Sequence, residues 1–227
     1  MPPRLAIIAA LPREIAALVR GTKPDTELLR RGIHLHQLPD AIVVAGGMGA
    51  QRVTLAFEAA VAAAPVTTVI STGLAGSCTS ELLAGDVVEA ATVIEARTGE
   101  RFAITTSQTP HVLVTTGTIA SVHEKARLSE TYAAAIVDME AATVARLAAA
   151  HGLSFRAIKA ISDAHDFELA SLARFAGKNG HFRTGAFALH TALRPHHWPK
   201  AMQLGRASAL ALKNLQEALR TLMSSRP

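Results

Sequence analysis

Short apolar runs recur along the first two thirds of the chain, and most of them end at glycines or at a polar segment. Uninterrupted apolar runs of about four to eight residues are typical of strands that are buried on both faces of a parallel sheet. On this pattern we predict strands within residues 5–11, 42–50, 66–76, 85–96, 111–117, 133–138 and 154–163.

Segments with helical spacing of apolar residues separate several of these runs. Residues 51–64 keep this spacing up to Pro65, and residues 121–130 and 139–151 predict two further helices. Strands that alternate with helices form a largely parallel sheet with helices on both faces. The pattern therefore predicts an α/β fold, and such sheets bind ligands beyond the carboxyl ends of their strands.

The last third of the chain has a different pattern. A polar stretch follows Asp163, and the remainder is helical in character, with breaks at Arg194-Pro195 and near Pro199. A length of 227 residues suits one domain. We therefore predict a single domain over residues 1–227, in which residues 181–227 form a helical extension.

Composition limits the class of protein. With 49% hydrophobic and 18% charged residues, the chain has enough apolar surface for a sizeable core. No apolar run approaches the roughly 20 residues that span a membrane. The N-terminal segment lacks the features of a secretory signal, so we expect a cytoplasmic protein. Cys78 is the only cysteine, which excludes an intramolecular disulfide and a multi-cysteine zinc site.

The net charge of +5 is concentrated near the C-terminus. Beyond residue 193 the chain has one acidic residue, Glu217, and six basic ones: Arg194, Lys200, Arg206, Lys213, Arg220 and Arg226. These charges form either a solvated helix face or a surface that is attracted to anionic membrane lipid. Aromatic residues make up only 4% of the chain, so stacking platforms for nucleic acid are not expected.

Three acidic residues stand at or just beyond the ends of predicted strands: Glu14, Glu140 and Asp163. Each alone is compatible with a structural role at a helix N-terminus, where acids are favoured. Asp138 is the expected cap of the helix that contains Glu140. Because the ends of parallel strands meet at one edge of a sheet, the coincidence of the three acids indicates a shared site.

Five short motifs, AALPREIAAL, STGLAG, GDVV, VDMEAA and IKAISD, occur in this order before residue 164. Together they resemble the nucleoside phosphorylase/nucleosidase superfamily, whose methylthioadenosine/S-adenosylhomocysteine nucleosidases are the best-known similar members. The resemblance implies a three-layer α/β sandwich around a twisted, partly closed sheet that is mixed and mainly parallel. It also implies a homo-oligomer such as a dimer, and an enzyme that needs no cofactor.

The resemblance further implies roles for single residues. Glu14 matches the acid that positions and activates the attacking water, and Asp163 matches the acid that protonates purine N7, with Ser162 orienting it. Met139 and Glu140 match the pair that holds ribose, in which Met packs on the sugar and Glu accepts hydrogen bonds from its hydroxyls. Further substrate contacts correspond to Gly73, Ala75, Gly76 and Ile119.

These roles fit the chemistry of breaking a ribosyl C–N bond. Cleavage leaves an oxocarbenium-like sugar and an anionic purine unless a proton reaches the base, and a general acid contributes about 10²–10⁴-fold. Burial beside apolar neighbours such as Ile161 would keep a proton on Asp163. A carboxylate near the sugar would stabilise the developing positive charge.

The phosphate-binding residues of the phosphorylases do not recur in this sequence. Those enzymes hold phosphate with a basic residue shortly before the glycine turn of the third strand and with a serine inside the turn. The corresponding positions are Ser71 and Leu74, so water is favoured over phosphate as the nucleophile. Arg13 and Arg52 lie near strand ends and are either a different anion site or ordinary surface arginines.

Two further departures concern the base and the 5′ side of the substrate. Family members stack the purine on an aromatic residue after the fifth strand, whereas residues 115–123 contain no Phe, Tyr or Trp. The apolar, basic C-terminal region with Trp198 is similar to the hopanoid-associated branch, whose implied substrate is an adenosyl-lipid. A helix at residues 182–193 and the helix after it would then line an apolar channel near membrane lipid, or else form ordinary core or subunit interface.

Three functional hypotheses follow. The first is cleavage of the N-ribosidic bond of an adenine-type nucleoside by water or phosphate. The second is the same reaction on a lipid-linked adenosyl compound, and the third is an inactive nucleoside-binding protein. In each, the partner is a small-molecule nucleoside. No metal site is expected, because His34 and His36, which would share one strand face, have no evident third ligand.

Overall fold

The computed structural model of the protein describes residues 4–107, 109–169 and 198–224. The predicted helix at residues 182–193 and the break at Arg194-Pro195 lie outside these ranges. Within them, every helix is too short or too polar to cross a lipid bilayer.

The described residues contain ten strands that form one sheet. All seven predicted strand regions contain strands, and β2 and β7 are two additional, short ones. Their bounds are β1 Arg4–Ala9, β2 His34–Gln37, β3 Ala41–Ala45, β4 Val66–Ser77, β5 Val87–Glu89, β6 Thr92–Glu95, β7 Arg101–Ala103, β8 Val112–Thr115, β9 Ala134–Asp138 and β10 Ser154–Asp163.

The prediction of one continuous strand over residues 85–96 is wrong, because the chain changes its pairing partner there. β5 pairs antiparallel with β10, whereas β6 pairs parallel with β8. Between them, the N–H of Ala90 donates to the carbonyl of Ala157 and the N–H of Ala91 to that of His111. A continuous apolar run does not reveal such a change of partner.

The sheet is mixed and mainly parallel, as predicted. Its order is β2-β3-β1-β4-β9-β8-β6-β7, with β10 paired to β4 and to β5. β1 and β10 both lie parallel to β4, so their carboxyl ends point to the same edge. The outer strands β2 and β7 do not pair with each other, so the sheet stays open.

Helices cover both faces of this sheet and complete the predicted α/β sandwich. Their bounds are α1 Pro12–Ile15, α2 Thr26–Arg30, α3 Ala50–Ala63, α4 Val122–Tyr132, α5 Ala141–Ala150 and α6 Trp198–Ser224. On one face, Phe57 of α3 and Val144 of α5 are fully buried in a common apolar cluster. On the other face, Leu215 and Leu219 of α6 are fully buried in a second cluster with Ile7 of β1.

Helix α6 is held against the loops next to the carboxyl ends of the strands. The Asn214 side chain donates a 2.8 Å hydrogen bond to the carbonyl of Gly85. The Gln216 amide donates to the carbonyl of Arg13 at 2.9 Å, and the Arg220 guanidinium donates to the carbonyl of Ala17 at 2.8 Å. The C-terminal helix is therefore fixed over α1.

The loops that begin α4 and α5 are shaped by side-chain caps. The hydroxyl of Ser121 accepts a hydrogen bond from the N–H of Glu124 and so satisfies one free donor of the first turn of α4. Helix α5 begins at Ala141, not at Met139 as predicted, because Glu140 has a non-helical φ of −135°. Asp138 still accepts a hydrogen bond from the first helical N–H, that of Ala141, at 2.9 Å.

Candidate active site

A cavity of about 410 Å³ opens where the ends of β1, β9 and β10 meet. It brings together the three acids that the sequence singled out, Glu14, Glu140 and Asp163. The other predicted site residues that line it are Arg13, Ala75, Gly76, Ile119, Met139 and Ser162. Gly73 and Arg52 are not among the described lining residues.

Glu14 is fixed in the cavity wall by three backbone donors. Its Oε2 accepts hydrogen bonds from the N–H groups of Ala10 at 3.0 Å and Leu11 at 2.8 Å, and its Oε1 accepts one from Leu74 at 3.1 Å. Burial raises the pKa of Glu14 above its ordinary value, and the hydrogen bonds from Leu11 and Leu74 offset only part of this rise. A carboxylate with a raised pKa is a better proton acceptor near neutral pH than an ordinary one.

The backbone of Gly73 passes close to the carboxylate of Glu14. Its φ is +130°, a conformation that side chains rarely adopt, and an added Cβ would lie 3.0 Å from both carboxylate oxygens of Glu14. Only glycine therefore leaves room for the acid at this point. Gly73, predicted as a substrate contact, therefore contributes to the site by leaving space for Glu14.

Glu140 stands between α5 and the cavity. Its Oε1 accepts a 2.8 Å hydrogen bond from the N–H of Gly49, at the start of α3. Burial, and next the negative charge of Asp138, raise the pKa of Glu140 to about 7. Met139 precedes it, is half-buried and also lines the cavity. The pair that the sequence predicted to hold ribose is thus placed on one wall.

Behind Glu140 lies a buried ion pair that the sequence analysis did not identify. The ammonium of Lys159, 1% exposed, is 2.8 Å from Oδ2 of Asp138 and donates to the hydroxyl of Ser71 at 3.1 Å. Burial alone would lower the pKa of Lys159, but the carboxylates of Asp138 and Glu140 raise it above its ordinary value. Asp138 therefore accepts the helix-capping hydrogen bond and also pairs with the buried Lys159 cation.

Asp163 is bound to a second buried lysine, also missed from the sequence. Lys125 of α4 donates to Oδ2 of Asp163, and the Ser162 hydroxyl donates to Oδ1 at 2.5 Å. Both Lys125 and Asp163 line the cavity and are almost inaccessible to solvent. Asp163 is buried, as predicted, but its neighbours are not all apolar, because the Lys125 cation lies against it.

The two arginines considered as an anion site occupy different places. Arg13 is exposed and lines the cavity. The guanidinium of Arg52 instead donates to the carbonyls of Gly46, Arg31 and Gly32 and holds the loop after β3. The structure therefore brings Arg13, but not Arg52, to the acids, and phosphate binding stays a prediction for both.

The remaining cavity wall is mostly apolar. Helix α6 presents one face to it, formed by Ala201, Leu204, Gly205, Ser208, Ala209 and Leu212. After β8, the wall is formed by Thr116, Thr118, Ile119 and Ala120. Within the described lining there is no aromatic side chain on which a purine could stack. Across the described residues there is likewise no group of three His, Cys, Asp or Glu side chains that could hold a metal.

Sequence signals differ for the two lysines that were missed. Lys159 interrupts the apolar residues 157–161 of β10, and a charge flanked by apolar residues in a buried strand is a usable sign of an internal ion pair. Lys125 lies in a helix rich in exposed charges, so its burial could not be distinguished by pattern. Its partner is 38 positions away and only the fold brings them together.

The cavity as a whole combines acid–base groups with a mostly apolar lining. A buried acid with raised pKa at Glu14 is suited to accept a proton from a nucleophile. The carboxylate of Glu140 is suited to accept hydrogen bonds from hydroxyl groups, and Asp163 to exchange a hydrogen with a polar ring. This arrangement suits bond cleavage in a small molecule that has hydroxyls and an apolar part.

Comparison with known protein families identifies sequence similarity over most of the chain. The sequence profile of the phosphorylase superfamily matches residues 4–115 and 108–184, which together cover most of the chain. A search of curated protein sequences found no match.

Solved structures with a similar fold are distant in sequence. The S-adenosylhomocysteine nucleosidase of Streptococcus pyogenes, in complex with 5-methylthiotubericidin, has a TM-score of 0.69 at 19% identity over 100% of this chain and 99% of that one. A Helicobacter pylori MTAN mutant, with 5′-methylthioadenosine in its active site, has a TM-score of 0.65 at 16% identity over 97% and 100%. The native futalosine hydrolase of Helicobacter pylori has a TM-score of 0.65 at 17% identity over 96% and 98%.

Proposed function

The chain belongs to the phosphorylase superfamily, whose members cleave N-glycosyl bonds, and we propose that it breaks the N-ribosidic bond of a purine nucleoside with an adenine-type base. The observation that carries this proposal is the meeting of Glu14, Glu140 and Asp163 in one cavity. Each is at the position where the family resemblance requires an acid. If the protein binds the nucleoside but does not cleave it, this proposal is replaced by that of an inactive nucleoside-binding protein.

Each of the three acids has a separate role in the cleavage of the C–N bond. Glu14 takes a proton from the attacking nucleophile, which its raised pKa favours. Glu140 accepts hydrogen bonds from the ribose hydroxyls, with Met139 against the sugar. Asp163 supplies a hydrogen to N7 of the base, so that the electron pair of the broken C–N bond leaves on a neutral purine. The carboxylates also stabilise positive charge on the sugar.

Water is the proposed nucleophile. In the glycine turn, the position that carries a phosphate-binding serine in the phosphorylases is Leu74, and its side chain lines the cavity. The Ser71 hydroxyl accepts a hydrogen bond from Lys159, so it belongs to the buried ion pair behind the site. Arg13 is the one described arginine that lines the cavity, and it is exposed.

The apolar wall of α6 supports a second candidate, a nucleoside whose 5′ substituent is long and apolar, such as a lipid. Leu204, Ala209 and Leu212 would contact such a group. A set of 5′-alkylthioadenosines of increasing chain length tests this. If the natural substrate carries a lipid, kcat/KM should rise steadily with the length of the alkyl chain. If the substrate is a small nucleoside, kcat/KM should stop rising after the first few carbons.

Adenine release from 5′-methylthioadenosine, followed by chromatography with and without phosphate, tests the proposed function. We expect free adenine at the same rate in both buffers, and loss of turnover in Asp163→Asn. A requirement for phosphate would replace hydrolysis by phosphorolysis. Binding of the nucleoside without any adenine release would support the binding protein instead. The homodimer remains a proposal from the resemblance, which light scattering tests, and the cytoplasmic location remains a proposal from the sequence composition.

A further inference from the structure

Lys125 is a buried cation at the base end of the cavity, and the family resemblance gave it no role. Building on the proposed function, we propose that Lys125 is a positioning residue for Asp163: it fixes the carboxylate beside the base and stores the proton that Asp163 passes to the leaving purine. The inference deepens the acid role of Asp163 by naming the source of its proton.

The ammonium of Lys125 uses all three of its N–H groups inside the protein. Its acceptors are Oδ2 of Asp163, the carbonyl of Ala164 at 2.8 Å and the carbonyl of Phe167 at 3.4 Å. A lysine amine surrounded by acceptors is held in its protonated form, since the neutral amine has only two N–H donors. With 1% exposure, the ammonium depends mainly on these protein acceptors.

Both oxygens of Asp163 accept hydrogen bonds from neighbouring side chains. Lys125 donates to one oxygen and the Ser162 hydroxyl to the other, at 2.5 Å. Donors on both oxygens favour the ionised form. With both oxygens accepting, Asp163 has no hydrogen of its own to give to the base, and the cation that contacts it is Lys125.

The proton balance of the reaction follows from this pair. As the C–N bond breaks, the electron pair goes to the purine, and its N7 takes a proton through Asp163 while Lys125 becomes a neutral amine. Water adds to the sugar and its proton goes to Glu14. Solvent then returns one proton to Lys125 and removes one from Glu14, so the net reaction is addition of water.

The surroundings of the pair indicate a role in the site beyond structural support. Both side chains line the cavity, and Gly76 opposes them with no side chain of its own. A Cβ at Gly76 would lie 2.9 Å from Oδ2 of Asp163 and 3.1 Å from Cε of Lys125. Glycine at this position is therefore what lets the ion pair reach the cavity surface.

The other titratable groups near the pair are unchanged in Lys125→Met, so they are common to its pH profile and to that of the wild type. Burial raises the pKa of the Cys78 thiol to about 12, and the hydrogen bond from Arg127 lowers the pKa of Glu124. His123, His165 and Glu168 are close in the chain to the two partners, and Glu14 faces them across the cavity. Glu140, with a pKa of about 7, does titrate, but it is present in every variant compared.

The pH dependence of kcat on 5′-methylthioadenosine tests the proposal. A lysine ammonium is in general a weaker acid than a carboxyl group, so a proton stored on an amine is retained to higher pH than one stored on a carboxyl group. In Lys125→Met we therefore expect the basic limb of the profile to move down by at least about one pH unit, so that kcat falls about tenfold more at pH 9 than at pH 6. KM is expected to change little.

A matched control is Arg127→Ala, on the exposed side of the same helix, whose profile should follow the wild type. If the basic limb of Lys125→Met stays in place or moves up, the proton-storage role is wrong. Should Lys125→Met fail to fold by circular dichroism, Lys125→Arg decides: arginine keeps the charge but does not release its proton. We expect adenine affinity to persist and kcat to fall, and a wild-type kcat in that variant would refute the role.

The same measurements separate this inference from the proposed function. If the wild type releases no adenine, the proposed function fails first. If the wild type is active and Asp163→Asn is not, while the profile of Lys125→Met is unshifted, only the role of Lys125 is refuted.

Discussion

Replacing Glu140 with glutamine removes a buried carboxyl group whose ionisation opposes folding. Burial, followed by the charge of Asp138, raises the pKa of Glu140 from 4.5 to about 7, although Lys159 and the N–H of Gly49 act in the other direction. In the unfolded chain the group ionises near its ordinary value. The gap between 4.5 and about 7 corresponds to about 3 kcal/mol of free energy.

The sign of the effect follows from proton binding. Between about pH 4.5 and 7 the folded protein keeps a proton on Glu140 that the unfolded chain has lost, so rising pH favours the unfolded chain. The wild type therefore loses up to about 3 kcal/mol of stability across this window, and Glu140→Gln does not. The advantage of the variant should grow with pH and level off above about pH 8.

Urea unfolding followed by circular dichroism at several pH values between about 5 and 8 measures this difference. Other acids, including Glu14 with its raised pKa, titrate in both proteins, so most of their effect cancels in the comparison. Glu217→Gln on α6 is the control, and its stability relative to wild type should not depend on pH. A free-energy difference between Glu140→Gln and wild type that is constant with pH would refute the reasoning.

Three further predictions concern the support of the site. Lys159→Met leaves the carboxylate of Asp138 buried without its cation and should cost about 3–5 kcal/mol in urea unfolding at pH 7; a loss below about 1 kcal/mol would contradict a buried, fixed pair. Gly73→Ala strains a backbone at φ +130° and pushes on Glu14, so thermal stability and kcat should both fall, and an unchanged kcat would count against the placement of Glu14. Ser121→Ala removes the cap of α4 and should cost about 1 kcal/mol, which chemical unfolding detects; a Ser121→Asp variant should retain most of it.

Much of the architecture could be predicted because apolar runs mark buried strands regardless of their partners. The seven strand regions and the helices after residues 50, 120 and 138 follow from spacing alone. The split of residues 85–96 into β5 and β6 could not be predicted, because it depends on which neighbours, β10 and β8, the fold offers on either side of Glu89.

The acids of the site were accessible to sequence reasoning because strand ends are functional positions in α/β folds. Glu14, Glu140 and Asp163 each stand at or just beyond the end of a strand, so their convergence could be inferred without coordinates. The lysine charges that lie beside the acidic groups could not be inferred in this way. Lys125 approaches Asp163 from α4, and Lys159 approaches Asp138 from β10. The charge of Lys159 within a buried strand is a local signal, but the sequence does not reveal the partner of either lysine.

The C-terminal helix shows the same division. The sequence predicts a helical extension, and α6 confirms it over Trp198–Ser224. That one face of this helix, including Leu204 and Leu212, lines the cavity depends on the hydrogen bonds that fix α6 over α1. A helical pattern indicates which side chains share a face, but not which part of the protein that face meets.

The central claim is that the cavity cleaves an N-ribosidic bond with Glu14 and Asp163 as its acid–base groups. The most direct measurement is free adenine released from 5′-methylthioadenosine in phosphate-free buffer by the wild type, Glu14→Gln and Asp163→Asn, each checked for folding by circular dichroism. The account predicts stoichiometric adenine and sugar from the wild type, and turnover at least about 10²-fold lower in each variant. Folded wild-type protein that binds the nucleoside and releases no adenine, or variants that turn over at the wild-type rate, would contradict it.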